Sequence, residues 1–139
     1  MLAHLIVKNI ALIDHVELAL QPGLTVLTGE TGAGKSILVE ALLLLLGQRA
    51  SGDVVRQGAA EGIVEAQFHL IGEPAEEVGA LLKDNDLPPL EDGTLVLRRV
   101  LSREGRHKQQ VNGALCTVAQ LKQVAEPLVD FTGQHAHQP

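Results

Sequence analysis

The stretch Leu24-Thr25-Val26-Leu27-Thr28-Gly29-Glu30-Thr31-Gly32-Ala33-Gly34-Lys35-Ser36, running on into the apolar segment Ile37 to Leu46, decides the fold. Leu24 to Thr28 is continuous and β-prone, the pattern of a strand buried on both faces. Gly34 to Leu46 is apolar almost all round, which predicts a buried helix, and Gly47 supplies its stop. Between them, Gly29 to Ser36 fill the pattern G-x-x-x-x-G-K-[ST] at every position. Strand, glycine-rich turn and helix in that order predict an α/β protein built around a phosphate-binding loop.

Each position in the loop has a physical reason. Glycines let the backbone turn tightly and aim successive N–H groups inward, forming a nest for an anion. The helix start adds the positive end of its dipole. Lys35 can reach the β- and γ-phosphates as a mobile point charge, and the Ser36 hydroxyl is a ligand for Mg²⁺. Gly29, Glu30, Thr31, Gly32, Ala33, Gly34, Lys35 and Ser36 are therefore the expected nucleotide-binding residues of a P-loop NTPase, with Lys35 also expected to act in catalysis.

Toward the N-terminus, residues 2–10 are apolar-rich, and residues 13–20 alternate with Val16, Leu18 and Leu20 on one side. This predicts an antiparallel pair, followed by a turn at Pro22-Gly23. Beyond the helix, residues 48–60 read as loop and Ile63 to Leu70 as an alternating strand. Residues 72–93 hold seven acidic residues and read as a solvated surface excursion with a short helix, Ala75 to Lys83. Thr94 to Leu101 predicts a strand, Ser102 to Lys108 a charged turn, and a second strand ends at the turn dipeptide Asn112-Gly113. Thr117 and Gln120 have capping-box spacing, so a helix starts there. Pro127 is expected to end it, with a last short buried strand from Leu128 to Thr132.

Composition excludes several classes. The 139 residues are 45% hydrophobic, enough for a core, yet hold two Phe and no Trp or Tyr. Base stacking on aromatic platforms is thereby disfavoured. A net charge of −6 is unlike a compact DNA-binding module. Cys116 is the single cysteine, which fits a reducing cytosol. The start Met1-Leu2-Ala3-His4 lacks the layout of a secretion signal, and Ile37 to Leu46 is too short to span a bilayer.

Triphosphate hydrolysis also needs an acidic residue ending a hydrophobic strand and a group that positions water. Leu128-Val129-Asp130 comes nearest, but Phe131 follows and Pro127 breaks the run. By sequence the chain holds half of such a site.

Lys8-Asn9-Ile10 and the loop Gly29 to Ser36 resemble the start of an SMC-type ATPase head. Gly47-Gln48-Arg49-Ala50, Val64-Glu65-Ala66-Gln67-Phe68, Arg98-Arg99-Val100-Leu101, Val111-Asn112-Gly113 and Gly133-Gln134-His135-Ala136-His137-Gln138 resemble the bacterial DNA-repair branch of that family. The resemblance runs nearly the whole chain, and its last segment is the most particular. It implies the N-terminal lobe of an ABC-type ATPase head, with an antiparallel β subdomain and a mixed sheet. Residues 1–139 would be the N-terminal half of the head, the coiled coil and the C-terminal half being absent. The missing half would supply the Ser-Gly-Gly signature and an Asp-Glu motif.

The resemblance further implies ATP and Mg²⁺ as ligands, and double-strand break repair in a nucleoid-associated, cytoplasmic setting. The implied partners are the C-terminal half of the same head, a second head on dimerisation, and DNA through the full-length protein, with no membrane. Gln134 would be the Gln-loop residue, its amide oxygen approaching Mg²⁺ and the attacking water. The isolated chain would be nearly inactive as an ATPase. The alternatives are an SMC-type chromosome protein, a transporter ATPase or a small-molecule kinase. The absence of an aromatic residue before Gly29 disfavours the transporter, and the N-terminal antiparallel strands disfavour the kinase.

In such heads an arginine soon after the first helix can reach the phosphates; Arg49 is the first choice and Arg56 the second. His135 and His137 alone make a poor metal site. Five of the eleven Lys and Arg residues fall within 98–108: Arg98, Arg99, Arg103, Arg106 and Lys108. A solvated hairpin is the favoured reading of this window, with phosphate tracking along DNA as the alternative. Arg98 and Arg99 must face opposite sides of their strand.

Overall fold

The computed structural model describes residues 2–19 and 32–131, with side chains described at 2–19 and 39–128. The expected strand Leu24–Thr28, loop residues Gly29 to Thr31 and the segment holding Gln134 lie outside the described residues.

Strands β1 (Leu2–Ile10) and β2 (Ile13–Ala19) form the expected hairpin. Helix α1 (Gly32–Leu45) is followed by a loop with one 3-10 turn at Gly52–Val54. Then come β3 (Glu61–His69), α2 (Glu73–Asp84), β4 (Thr94–Ser102), β5 (Lys108–Val111), β6 (Ala114–Cys116) and α3 (Val118–Phe131). The strands form one sheet in the order β2-β1-β3-β4-β5-β6, antiparallel at every pairing.

Strict alternation decides which face is buried. Leu5 and Val7 of β1, Val64, Ala66 and Phe68 of β3, and Leu95, Leu97 and Leu101 of β4 point to one side and are buried. Their period of two puts them on a single face, against α1 and α3, with α2 packed on α3. The opposite face carries Ile6, Glu65 and Arg98 in register across three strands. With hardly any aromatic residue, aliphatic side chains and Phe68 carry the core.

Helix α1 closes as the sequence predicts. Gln48 N–H donates to Leu43 C=O at 3.1 Å and Gly47 N–H to Leu44 C=O at 3.1 Å. Gly47 has φ +104, the left-handed glycine that such a terminus requires. Burial of α1 is one-sided, however. Ala41, Leu44 and Leu45 are buried, whereas Val39 is 44% and Leu43 40% exposed.

Two expectations are corrected. Residues 73–84 are not a solvated excursion: α2 buries Val78 and Leu82, and Leu87 beyond it joins the core. Acidic composition hid a two-residue apolar stripe at helical spacing. Nor does Pro127 end a helix before a strand; α3 runs through it, and residues 128–131 are helical. Leu121, Val124, Ala125 and Leu128 stand at i, i+3, i+4 and i+7 and are all buried. A proline inside a helix costs about 3 kcal/mol, while each large aliphatic side chain buried returns about 1.5–3 kcal/mol. The helical face wins.

Candidate functional site

The loop motif meets the described structure at Gly32, where α1 begins. Gly32, Ala33, Gly34, Lys35 and Ser36 form the opening of that helix, and its first turn holds no acidic residue. The free N–H groups of a helix start point N-terminally, out of the helix. An anion there meets a positive helix end that no first-turn carboxylate opposes, so a phosphate group fits the chemistry of this end.

At its other end α1 has no basic residue of its own in the last turn. Arg99 of β4 supplies the cation. Its Nη1 donates to Leu44 C=O at 2.8 Å and to Gln48 C=O at 2.5 Å. Its Nε donates to the Gln109 side-chain oxygen at 3.4 Å, and Gln109 Nε2 donates on to Cys116 C=O at 3.3 Å. Arg99 is 2% and Gln109 8% exposed. Burial lowers the Arg99 pKa from its ordinary value, but an arginine starts so high that it stays charged. Carbonyls at the negative end of a helix are a favourable partner for a buried cation. Sequence reasoning placed Arg98 and Arg99 on opposite faces and did not recognise that Arg99 faces the core. The helix it caps is remote in sequence.

The loop after α1 is tied to the corner where β1 ends. Ala11 N–H donates to Val54 C=O at 2.7 Å and Arg56 N–H to Asn9 C=O at 2.8 Å. Val55 is buried and bridges Ile10. Arg103, in the β4–β5 turn, spans Ala59, Val55 and Arg56 carbonyls at 3.1, 2.8 and 2.7 Å. His107 Nδ1 accepts from Ser102 N–H at 3.1 Å, and its Nε2 lies 3.0 Å from Ala50 C=O. An accepting Nδ1 assigns the proton to Nε2, which donates to Ala50.

These contacts redistribute the expected arginines. Arg56 donates to Leu12 C=O at 2.8 Å. Arg49 is exposed and stands beyond the end of α1, a helix about 20 Å long at 1.5 Å per residue. The two ends of α1 thus separate Arg49 from the helix start at which the motif lies. In the basic window, Arg98 pairs with Glu65 at 2.8 Å, Arg99 is buried and Arg103 is spent on loop carbonyls. Arg106 and Lys108 alone of the five are exposed at their tips without such a role among the described residues. The favoured solvated reading therefore holds for Arg106 and Lys108 and is corrected for Arg99, which is buried.

His4 and Glu17 lie 3.0 Å apart on the outer face of the β1–β2 hairpin. No group of three or more metal-ligating side chains occurs among the described residues, and no described helix is long and apolar enough to cross a membrane.

Comparison with known proteins places this geometry. A family profile of the AAA domain matches residues 4–130. The DNA repair protein RecN of Vibrio cholerae is 44% identical over 138 residues, covering 99% of this chain and 24% of that protein. RecN of Bacillus subtilis is 41% identical over 138 residues, covering 99% and 23% respectively. The chain thus spans about a quarter of the length of these curated relatives. A chain solved in work on ATP-driven dimerization and DNA-stimulated activation of SMC ATPases superposes with a TM-score of 0.69 at 19% identity, covering 99% of this chain and 92% of that one. At that identity the likeness establishes the fold, that of an SMC-type ATPase head.

Proposed function

The chain belongs to the AAA domain family, and on that premise we propose that it is the ATP-binding N-terminal half of an ATPase head acting in DNA double-strand break repair. The observation that carries this reading is that α1 opens at Gly32, inside the phosphate-loop motif, with no carboxylate in its first turn. The 44% identity to a DNA repair protein along nearly the whole chain supports the setting.

In this proposal Gly29 to Ser36 wrap the phosphates with backbone N–H groups, and Lys35 holds the β- and γ-phosphates as charge develops on them. The Ser36 hydroxyl and the Gln134 amide oxygen would hold Mg²⁺, which when bound neutralises phosphate charge. Gln134 also orients the attacking water. Arg49, remote along α1, is left out of the phosphate contacts of its own chain. Residues 1–139 then form one side of a composite site. The signature and Asp-Glu groups come from a C-terminal half, and a second head closes over the nucleotide. Engagement of two heads moves coiled-coil arms that hold DNA, and hydrolysis releases them. Alone, the chain binds ATP and turns it over poorly, in the cytoplasm and near the nucleoid.

Titration with a fluorescent ATP analogue and Mg²⁺ tests the binding step. Saturable binding that is lost in Lys35→Ala is expected. Equal binding by the variant would refute the assignment of the loop.

A further inference from the structure

Asn112 stands at the turn of the β5–β6 hairpin, and both ends of its side-chain amide are bound. Val111 pairs with Ala114. Asn112 and Gly113 between them have φ +50 and +87, the two positive values of a tight I′ turn. Asn112 N–H donates to Val96 C=O at 2.8 Å, and its Oδ1 accepts from Val96 N–H at 2.9 Å. A side-chain oxygen thus continues the ladder between β4 and β5 in place of a backbone carbonyl. Nδ2 donates to Pro88 C=O at 2.9 Å and to Pro89 C=O at 3.2 Å. Neither proline has an N–H with which to join a strand, and Asn112 gives their carbonyls a donor. The amide serves all these partners in one orientation, acceptor toward Val96 and donor toward both prolines.

Asparagine followed by glycine is also the pair in which the backbone most readily attacks the side chain. Once the Gly113 nitrogen has given its proton to water, it can attack Asn112 Cγ. A C–N bond forms, the Cγ–Nδ2 bond breaks, and ammonia leaves after taking up a proton. Water then opens the cyclic imide at one carbonyl or the other, giving aspartate or isoaspartate. Glycine favours the attack because no Cβ crowds its nitrogen. A Cβ built on Gly113 meets nothing within 4 Å among the described residues, so the turn is open on that side. Protection falls instead to the Asn112 side chain. Ring closure must swing Cγ over the Gly113 nitrogen, which carries Oδ1 and Nδ2 away from Val96, Pro88 and Pro89.

We propose that Asn112 is a deamidation site which the fold holds shut, and that its conversion loosens the Pro88-Pro89 segment from the sheet. Three side-chain hydrogen bonds must be given up before the ring can close, so the reaction draws on the fraction of molecules opened at this point. The product cannot remake the latch. A carboxylate only accepts. One oxygen can still face Val96 N–H, but the other faces two carbonyl oxygens with no hydrogen between them, which leaves those groups unsatisfied. The change is one-way, because the released ammonia is lost to solvent. It is also independent of the phosphate-loop reading.

The test follows the full-length protein by mass spectrometry, native and in concentrated urea, at the same pH and temperature. Trypsin cuts after Lys108 and Lys122, and Asn112 is the one asparagine in the peptide between them. Native conversion is expected to run at least about tenfold slower than conversion in urea. Leu87→Ala unseats from the core the residue next to Pro88. It should speed native conversion by at least about threefold and leave the rate in urea unchanged. Equal rates in the native and unfolded protein would overturn the proposal, as would a native Leu87→Ala rate equal to wild type. Asn112→Asp, which installs the product directly, tests the latch. Amide exchange over 84–93 should rise at least about threefold in this variant while exchange over 61–69 stays as in wild type. Unchanged exchange over 84–93 would refute the loosening.

Discussion

Gly47 and Lys122 are in contact where α1 meets α3, at a separation that leaves no room for a side chain on Gly47. The built Cβ would approach Lys122 Cγ to 2.4 Å and Lys122 Cα to 3.4 Å, and the backbone already sits at φ +104. Gly47→Ala therefore combines a left-handed strain with an overlap. It should destabilise by about 1–3 kcal/mol, read as a lower urea midpoint with an unchanged slope. Stability equal to wild type would mean that the helices part without cost.

The start of α3 offers a milder change. Thr117→Ala removes the acceptor for Gln120 N–H and one side of the reciprocal box. A loss of about 1 kcal/mol is expected, largely restored in Thr117→Ser. Chemical denaturation of the two variants side by side measures it.

Arg103 and Arg106 belong to one turn and should behave differently. Both are exposed, but Arg103 donates to three loop carbonyls. Arg103→Ala should cost about 1–3 kcal/mol, and Arg106→Ala should stay within about 0.5 kcal/mol. Thermal melts of both variants decide it. Any phosphate tracking by this hairpin must come from Arg106 and Lys108, so Arg106→Glu with Lys108→Glu is the clean probe in the full-length protein.

Burial pushes the Cys116 thiol above its ordinary pKa. The thiolate is the reactive form, so the folded chain holds less of it at mildly alkaline pH than a free thiol would. Alkylation by iodoacetamide should run slower than for a free cysteine, and its rate should climb at higher pH than that of the denatured chain. Equal rates folded and unfolded would contradict this.

Local chemistry explains what was readable from sequence. Alternation in residues 13–20 and 94–101, the Asn112-Gly113 turn, the Thr117 and Gln120 box and the Gly47 stop each depend on neighbours within a few residues. All five recur in the structure, the first over its described residues 13–19. The misreadings depend on distant partners. Pro127 looks like a terminus until α3 is seen to bury Leu128, and the acidic 72–93 stretch looks solvated until Val78 and Leu82 meet the core. Arg99 is the strongest case. Nothing near it in sequence marks a buried cation, because its carbonyl acceptors, Leu44 and Gln48, lie about fifty residues earlier. The phosphate loop was legible as a motif. Gln134, its proposed partner, was legible only through resemblance.

The central claim is that this chain holds one side of a composite ATPase site, and it is tested most directly by turnover in three mixtures. ATPase is measured for the chain alone, for the chain with a separately produced C-terminal half, and for the Lys35→Ala chain with that half. The account predicts little activity, then activity on mixing, then its loss. Robust turnover by the chain alone would contradict it.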